Sequence, residues 1–506
     1  MNTEKLQSLL LYRYRYAVAY FAMVTSSVVA LVYHLRELFP GVSPSEVNQG
    51  LAITQDATTI LEQGIYLPYN VLQTISIEVF GESALALRLP SVIFGLLLLI
   101  MMFALIHLWH KEKIAIITVI FLATSSWFLT FARSGTPYIY TAFCVVLIFL
   151  SGTMLRHSKN QKRAMVFAAF ALPLTLYSPY IIYLLGLFVV LYRKELVAIV
   201  RDMDRSNAVV LAIIGLATTL PLLYSFVSSL DNLQVWLGVS DGLPSIRGFA
   251  QNILAGVEHI LWRSSDNPEF HLGNLAMLDI FTSTMAALGL YHYEQHFKWM
   301  RTRFIIYGLG LTLFVFGLSS DEGRYFMAAP IIYILAATGI VTLLNQWNRI
   351  FPYNPFARTL ALLPLALALL ITSQYHLDRY FSAWAYSPNT RKVYAVEPSL
   401  LERHIDNASA ERVLIVTRQS EHRALRFLLN DSSVGRSIDI IDPAEGDRLT
   451  NFPTRYDVVY LDGNVDGDLK RRLDAYISET IENERLSRPI SYRVYDLSTK
   501  VGTLTN

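Results

Sequence analysis

Residues 41–95 read GVSPSEVNQGLAITQDATTILEQGIYLPYNVLQTISIEVFGESALALRLPSVIFG. This polar, turn-rich stretch follows one apolar run, residues 16–35, and leads into another, residues 89–109. Each run has about the length of a membrane span, which takes roughly 20 apolar residues. The stretch therefore reads as an extramembrane loop between two spans, with the Arg88-Leu89-Pro90-Ser91 turn opening the second. The first run lacks a small-residue cleavage site, so it is expected to stay as an anchor and not to be removed as a signal peptide.

The composition of the whole chain agrees with this reading. Of its 506 residues 53% are hydrophobic and only 16% charged, with a mean hydropathy of +0.38. Such values describe a polytopic α-helical membrane protein. Eleven spans are expected, at about residues 16–35, 89–109, 114–132, 136–155, 164–176, 179–192, 207–229, 274–293, 304–320, 325–346 and 358–375. With the N-terminus inside, the inner loops hold 18 Lys and Arg and the outer loops before residue 376 hold 6. Lys and Arg concentrate on the inner side of membranes, so the N-terminus is expected in and the C-terminal region out. Residues 164–192 carry no charge yet are flanked by basic clusters on both sides. A short hairpin turning at Tyr177-Ser178-Pro179-Tyr180 keeps both clusters inside, provided that neighbouring groups satisfy the backbone of the turn.

Outside the spans lie the first outer loop, residues 36–88, a long outer loop at 230–273, and the short run Ser319-Ser320-Asp321-Glu322-Gly323-Arg324-Tyr325. The expected division is a transmembrane domain over residues 1–375 and a soluble extracytoplasmic domain over 376–506. The latter alternates β-rich and helical runs, with strands at 413–416, 438–441, 456–461 and 491–497 and helices at 421–429 and 468–481, the pattern of a small α/β domain. It contains neither GxGxxG nor a P-loop, so no nucleotide cofactor is expected. The net charge of +2 gives no reason to expect nucleic acid. One cysteine, Cys144, excludes an intrachain disulfide, and no His/Cys/Asp cluster has metal-ligand spacing, so no metal is expected.

The residues that could carry chemistry each have two readings. Ser43-Pro44-Ser45-Glu46 fits a capping box, with Ser43 as N-cap, Pro44 at the first helical position and Glu46 three residues on. Glu46 is equally a carboxylate just outside the membrane, able to bind or deprotonate a substrate hydroxyl. Val71, Leu72, Ile75, Val79 and Phe80 form a one-sided apolar stripe, suited to a bilayer surface or to a packed core. Arg133 and Arg324 stand at outer span boundaries, where arginine serves as an interfacial anchor or, in company, as a bidentate clamp for a lipid-linked phosphate. His271 and Asp266 share the long outer loop, the histidine as a structural hydrogen-bonding group or a substrate contact.

Taken together, these residues resemble the GT-C glycosyltransferases of the dolichyl-phosphate-mannose–protein mannosyltransferase type and their bacterial relatives, the lipid A aminoarabinose transferases. The match runs through Ser43-Pro44-Ser45-Glu46, GIYLPYN and VFGESALALRLPSVIFG, then Phe131-Ala132-Arg133-Ser134-Gly135-Thr136-Pro137, His271-Leu272-Gly273 with Met277-Leu278-Asp279, and Arg324-Tyr325 with Pro330. The resemblance implies sugar transfer, with inversion, from a polyprenyl-phosphate carrier to a lipid, protein or glycan acceptor on the outer face of a plasma (inner) membrane. The first outer loop would roof the active site, a loop acid would take the acceptor's proton, and basic residues would hold the departing phosphate. Glu46 is then the catalytic candidate, and Arg133, Arg324, Tyr325, His271 and Asp266 the substrate and lipid-phosphate candidates. The chain departs from the family in two places. Ser45 stands where members carry the Asp of an Asp-Glu pair, and a serine is no base without activation. Tyr138 stands where many members have an acid. A catalytically silent homologue that binds a lipid-linked glycan or scaffolds an envelope complex is the alternative. A transporter fits less well, because charged residues within the spans are nearly lacking.

Overall fold

The structure, a computed structural model, describes residues 14–35, 41–54, 62, 64–157, 161–201, 203–240, 242–265, 267–319, 321–360, 362–394, 396–408, 410–429, 436–448, 452–462, 467–480 and 492–500. They fall into two compact units. One comprises Met1–Leu35, Gln55–Gln73 and Arg88–Trp384; the other comprises Arg36–Thr54, Thr74–Leu87 and Ala385–Asn506.

The first unit is helical. Each of the eleven apolar runs coincides with a helix or a broken helix. Among the described residues, Ala84–Trp109, Tyr138–His157, Arg205–Ser228, Met300–Leu318 and Glu322–Ile350 are long and apolar enough to cross a membrane alone, and Glu112–Thr124 with Ser126–Ala132 form a further candidate bent by 68°. The chain breaks at the expected turn, between the helices Gln161–Thr175 and Ile181–Arg201. Neighbouring groups satisfy its turn: Tyr140 Oη donates to the Leu174 carbonyl at 2.6 Å, Trp236 Nε1 to Leu176 at 2.6 Å, and the Tyr66 amide to Tyr177 at 2.7 Å. The Arg88-Leu89-Pro90-Ser91 segment is not the expected turn. It lies inside the Ala84–Trp109 helix, which tolerates Pro90. A proline in a helix removes one backbone hydrogen bond, and membrane helices accept that loss where neighbours compensate. The apolar stripe of the Leu67–Phe80 helix faces outward, with Val71, Ile75, Val79 and Phe80 exposed, while Tyr69, Gln73 and Ser76 turn inward. The packing of this helix runs instead through Leu67 and Tyr69, which are buried, and Ile77.

Two helices of this unit, Ile280–Glu294 and Ala329–Ile350, cross at close range through glycine. A methyl added at Gly289 would overlap the Leu335 carbonyl, and one added at Gly339 the Met285 carbonyl. Small residues at such crossings let backbones approach, which is how apolar helices gain dispersion contact where lipid is as apolar as they are.

The second unit is built on a five-stranded mixed sheet of order β2-β1-β3-β5-β4, with β1 Arg412–Val416, β2 Ser437–Ile441, β3 Val458–Asp462, β4 Tyr476–Thr480 and β5 Tyr492–Lys500. The pairs β1–β2 and β1–β3 are parallel, and β5 is antiparallel to both β3 and β4. Alternate side chains of β1 feed two cores. Val413 and Ile415 pack with Leu401, Leu425 and Tyr492, while Leu414 and Val416 pack with Leu469, Leu473 and Tyr495. The single helix expected over residues 468–481 is instead a short helix, Asp468–Leu473, followed by β4. Leu469 and Leu473 give one helical turn its buried face. The alternating Tyr476-Ile477-Ser478-Glu479-Thr480 then pairs with β5, so partner hydrogen bonds override local helix propensity.

This unit also contains the Pro44–Ile53 helix from the first loop. Val42 and Val47 pack with Ala84, Leu87, Ala424, Phe427 and Leu428, and a Cβ at Gly50 would stand 2.7 Å from the Phe427 ring.

The glycine crossing yields a direct test. Gly289→Ala or Gly339→Ala should each destabilise the detergent-solubilised protein by about 1–3 kcal/mol through overpacking, read as a lower unfolding temperature than that of Gly310→Ala, whose Cβ would meet open space.

Candidate functional site

The capping box at the first-loop helix is complete. Ser43 Oγ accepts the Glu46 amide at 3.2 Å, and Glu46 Oε2 accepts the Ser43 amide at 3.0 Å. The Glu46 side chain is fully buried. Its carboxylate is thus fixed by the helix start that the sequence dictates, and it lies in the second unit. Asp266 lies outside the described residues.

The remaining candidates belong to the helical unit. Arg133 closes the Ser126–Ala132 helix as its C-cap residue and is buried. Its two terminal nitrogens donate to the carbonyls of Ala30 and Tyr33, both at 2.7 Å. Its guanidinium rests 4.9 Å from the Phe381 ring centre and 5.4 Å from that of Tyr380. It therefore caps the C-terminal end of the Arg15–Val32 helix, where carbonyls lack intrahelical partners; its Nε has no hydrogen-bond partner.

Arg324, His271 and Tyr325 meet around the 3₁₀ helix Glu322–Ala328. Arg324 is buried, lies 4.3 Å over the Tyr180 ring, and places Nε 3.6 Å from Asp321 Oδ2. His271 Nε2 is 3.4 Å from Glu322 Oε2, an ion-pair distance without hydrogen-bond geometry. The His259 ring stacks between those of His271 and Tyr325, at 6.0 and 5.4 Å. Burial pushes the His271 imidazole below the usual histidine range, and His259 and Arg379 push it the same way, against the opposing pull of Glu322.

Several contacts at this end of the unit are not apparent in the sequence. Tyr138 Oη donates to both carboxylate oxygens of Asp321, at 3.1 and 3.3 Å. Tyr66 and Tyr180 take positive φ values of 57° and 64°, a conformation that costs non-glycine residues about 1–3 kcal/mol and marks sites where surroundings over-determine the backbone. The only cues were a turn residue before each, Gly64 for Tyr66 and Pro179 for Tyr180. A separate buried chain runs from Ser126 Oγ to His376 Nδ1 at 2.9 Å and from His376 Nε2 to Asp279 Oδ2 at 3.0 Å. Asp279 also caps the Ile280–Glu294 helix by accepting the Thr282 amide at 2.9 Å. Ser126 borders a recess with Trp127, Thr130, Arg379, Tyr380 and Trp384. Arg379 spends its guanidinium on the carbonyls of Ala276 at 2.6 Å and Leu275 at 3.1 Å. The chemistry available is thus that of buried guanidinium groups, positioned carboxylates and tyrosine hydroxyls.

Comparison with known proteins gives a consistent picture. Residues 68–225 match the family of dolichyl-phosphate-mannose-protein mannosyltransferases. The fold is similar to that of ArnT from Cupriavidus metallidurans bound to undecaprenyl phosphate, with TM-score 0.52 and 14% identity over 96% of this chain and 98% of that one. It is also similar to the Archaeoglobus fulgidus oligosaccharyltransferase tethered with an acceptor peptide, with TM-score 0.50 and 12% identity over 94% of this chain and 74% of that one. No curated protein sequence matches the chain.

Two tests follow from the geometry. Because the folded His271 pKa lies below its unfolded value of about 6.5, the stability carried by the neutral ring is fully present above that pH and is lost as pH falls through the folded value. Thermal unfolding between pH 7.5 and 5 should therefore fall more steeply for the wild type than for His271→Gln. Arg133→Lys cannot bridge two carbonyls as the fork does and should cost about 1–3 kcal/mol of stability, the penalty for a buried acceptor left unmet.

Proposed function

We propose that this chain, a multi-pass membrane protein of the GT-C glycosyltransferase superfamily, transfers a sugar from a polyprenyl-phosphate carrier to an acceptor on the outer face of the membrane, with inversion at the anomeric carbon. The observation that carries the reading is the correspondence of fold, over nearly the full length of both chains, with an ArnT bound to undecaprenyl phosphate. In such a reaction the acceptor oxygen attacks the anomeric carbon and the bond from that carbon to the phosphate oxygen breaks. The phosphate leaves with the electron pair. No cofactor is needed to make it a leaving group. Charge growing on the phosphate is what fixed cationic donors stabilise, and a guanidinium matches a phosphate bidentately.

Arg324 and Arg133 are assigned to the lipid phosphate. Both are buried, and each has an Nε without a hydrogen-bond partner. Desolvation strengthens such a contact once the phosphate is bound. Tyr325 and His271 are assigned to the substrate together with Arg324. Glu46 is assigned to the first loop as a substrate anchor. Its capping box favours a held carboxylate over a mobile one.

One observation favours a second reading, a silent homologue that binds a lipid-linked glycan: Ser45 stands in place of a carboxylate, and Glu46 is wholly buried. Glu46→Gln separates the two, because glutamine completes a capping box as glutamate does and the fold should survive. For the enzyme, this substitution is expected to raise KM at least about tenfold, the loss of one charge-assisted contact, in reconstituted membranes supplied with carrier-linked sugars. An unaltered KM and kcat would remove Glu46 from the site. A wild-type protein that turns over no carrier-linked sugar, joined to a Ser45→Asp variant that does, would establish the silent homologue.

A further inference from the structure

We propose that Asp321 is the general base of the transfer reaction, an inference that rests on the reading of the chain as a polyprenyl-phosphate glycosyltransferase. A general base needs a carboxylate that is both held in place and open to the incoming hydroxyl. Exposure separates the candidates. Glu46 is fully buried and occupied with its helix cap. Asp279 is 11% exposed and bonded to His376 and Thr282. Glu322 is 19% exposed and faces His271. Asp321 is 34% exposed, although three groups position it: Tyr138 Oη on both oxygens, the Gly323 amide on Oδ1 at 3.0 Å, and Arg324 beside Oδ2. With a third of its side chain exposed, the carboxylate keeps one side open to a substrate hydroxyl.

The surroundings suit a sugar at this position. Tyr66 lies within electrostatic reach of Asp321, Arg324 and Tyr180, and Tyr138 within reach of Asp321, Tyr66 and Tyr180. Three aromatic rings with hydroxyl tips thus gather about one carboxylate, and aromatic rings combine an apolar face with a polar handle. Two of them, Tyr66 and Tyr180, hold strained backbone conformations, which is where strain is ordinarily retained for function. Arg324, buried with its Nε 3.6 Å from Asp321 Oδ2, adds a cation to the same cluster. The step balances without another reactant. The acceptor oxygen forms its bond to the anomeric carbon as the carbon–phosphate-oxygen bond breaks, the electron pair leaves on the phosphate, and the hydroxyl proton passes to Asp321.

The test uses the full-length protein in proteoliposomes with a panel of radiolabelled undecaprenyl-phosphate sugars, scoring both transfer and hydrolysis to free sugar. Binding of undecaprenyl phosphate alone is measured in parallel. Asp321→Asn retains an acceptor for the Gly323 amide, since Asn caps as well as Asp, so the fold should persist. The expected result is a 10²–10⁴-fold loss of kcat, the usual weight of a general base, with undecaprenyl phosphate affinity within about twofold of wild type and partial recovery in Asp321→Glu. Wild-type turnover by Asp321→Asn would overturn the assignment and leave the glycosyltransferase reading intact. Loss of undecaprenyl phosphate binding together with turnover would also overturn it, by showing that Asp321 serves binding or folding. A wild-type protein that neither transfers nor hydrolyses any carrier-linked sugar would overturn the underlying reading, and the base with it.

Discussion

At several helix ends and breaks inside the apolar unit, the released carbonyls are taken by buried or half-buried side chains. Arg133 holds Ala30 and Tyr33, Arg88 holds Leu35, and Arg379 holds Leu275 and Ala276. Gln73 donates to Gly135, Ser91 to Thr136, Tyr183 to Leu237 and Arg324 to Gly238. The constraint is physical. An unpaired backbone group away from water costs as much as a lost hydrogen bond or more, so irregular backbone persists only beside a donor. Each of these irregular segments therefore has a polar side chain beside it. Arg133 and Arg324 both donate to backbone carbonyls through terminal nitrogens, and Arg324 also sets Nε 3.6 Å from Asp321 Oδ2.

The helical skeleton was legible because apolar run length is a strong, local signal. The helix break at Tyr177-Ser178-Pro179-Tyr180 was signalled by charge and length: basic residues flank an uncharged stretch too long for one span. The capping box followed from four adjacent residues. What the sequence hid depended on partners distant in the chain. Residues 476–480 became a strand because β5 was there to pair with them, and Pro90 sat within a helix that neighbours could support. The Tyr138–Asp321 pair joins residues from separate helix ends, and neither residue announces the other. The same holds for Ser126, His376 and Asp279, one on each of three helices or their caps. No short-range pattern encodes such a meeting.

The distribution of acids gives the chain an internal division of labour. Glu46 and Asp279 complete helix starts, Glu322 balances His271, and Asp321 keeps one side open while it receives Tyr138. Tyr138 stands where the resemblance to GT-C glycosyltransferases leads one to expect an acid, and here it donates to one. A position that looks like a loss in linear sequence is, in three dimensions, a hydroxyl contact to a carboxylate brought from another loop.

The helix bearing Glu46 has a consequence for how the protein is made. Gly50 lies against Phe427, and Val42 and Val47 share a core with Ala424 and Leu428. A ribosome delivers the first group long before the second, since most of the chain separates them. During synthesis the first-loop helix emerges without the surface it will bury, and isolated helices of ten residues are marginal in water. The fixed position of Glu46 therefore rests both on its own capping box and on a surface supplied from far along the chain.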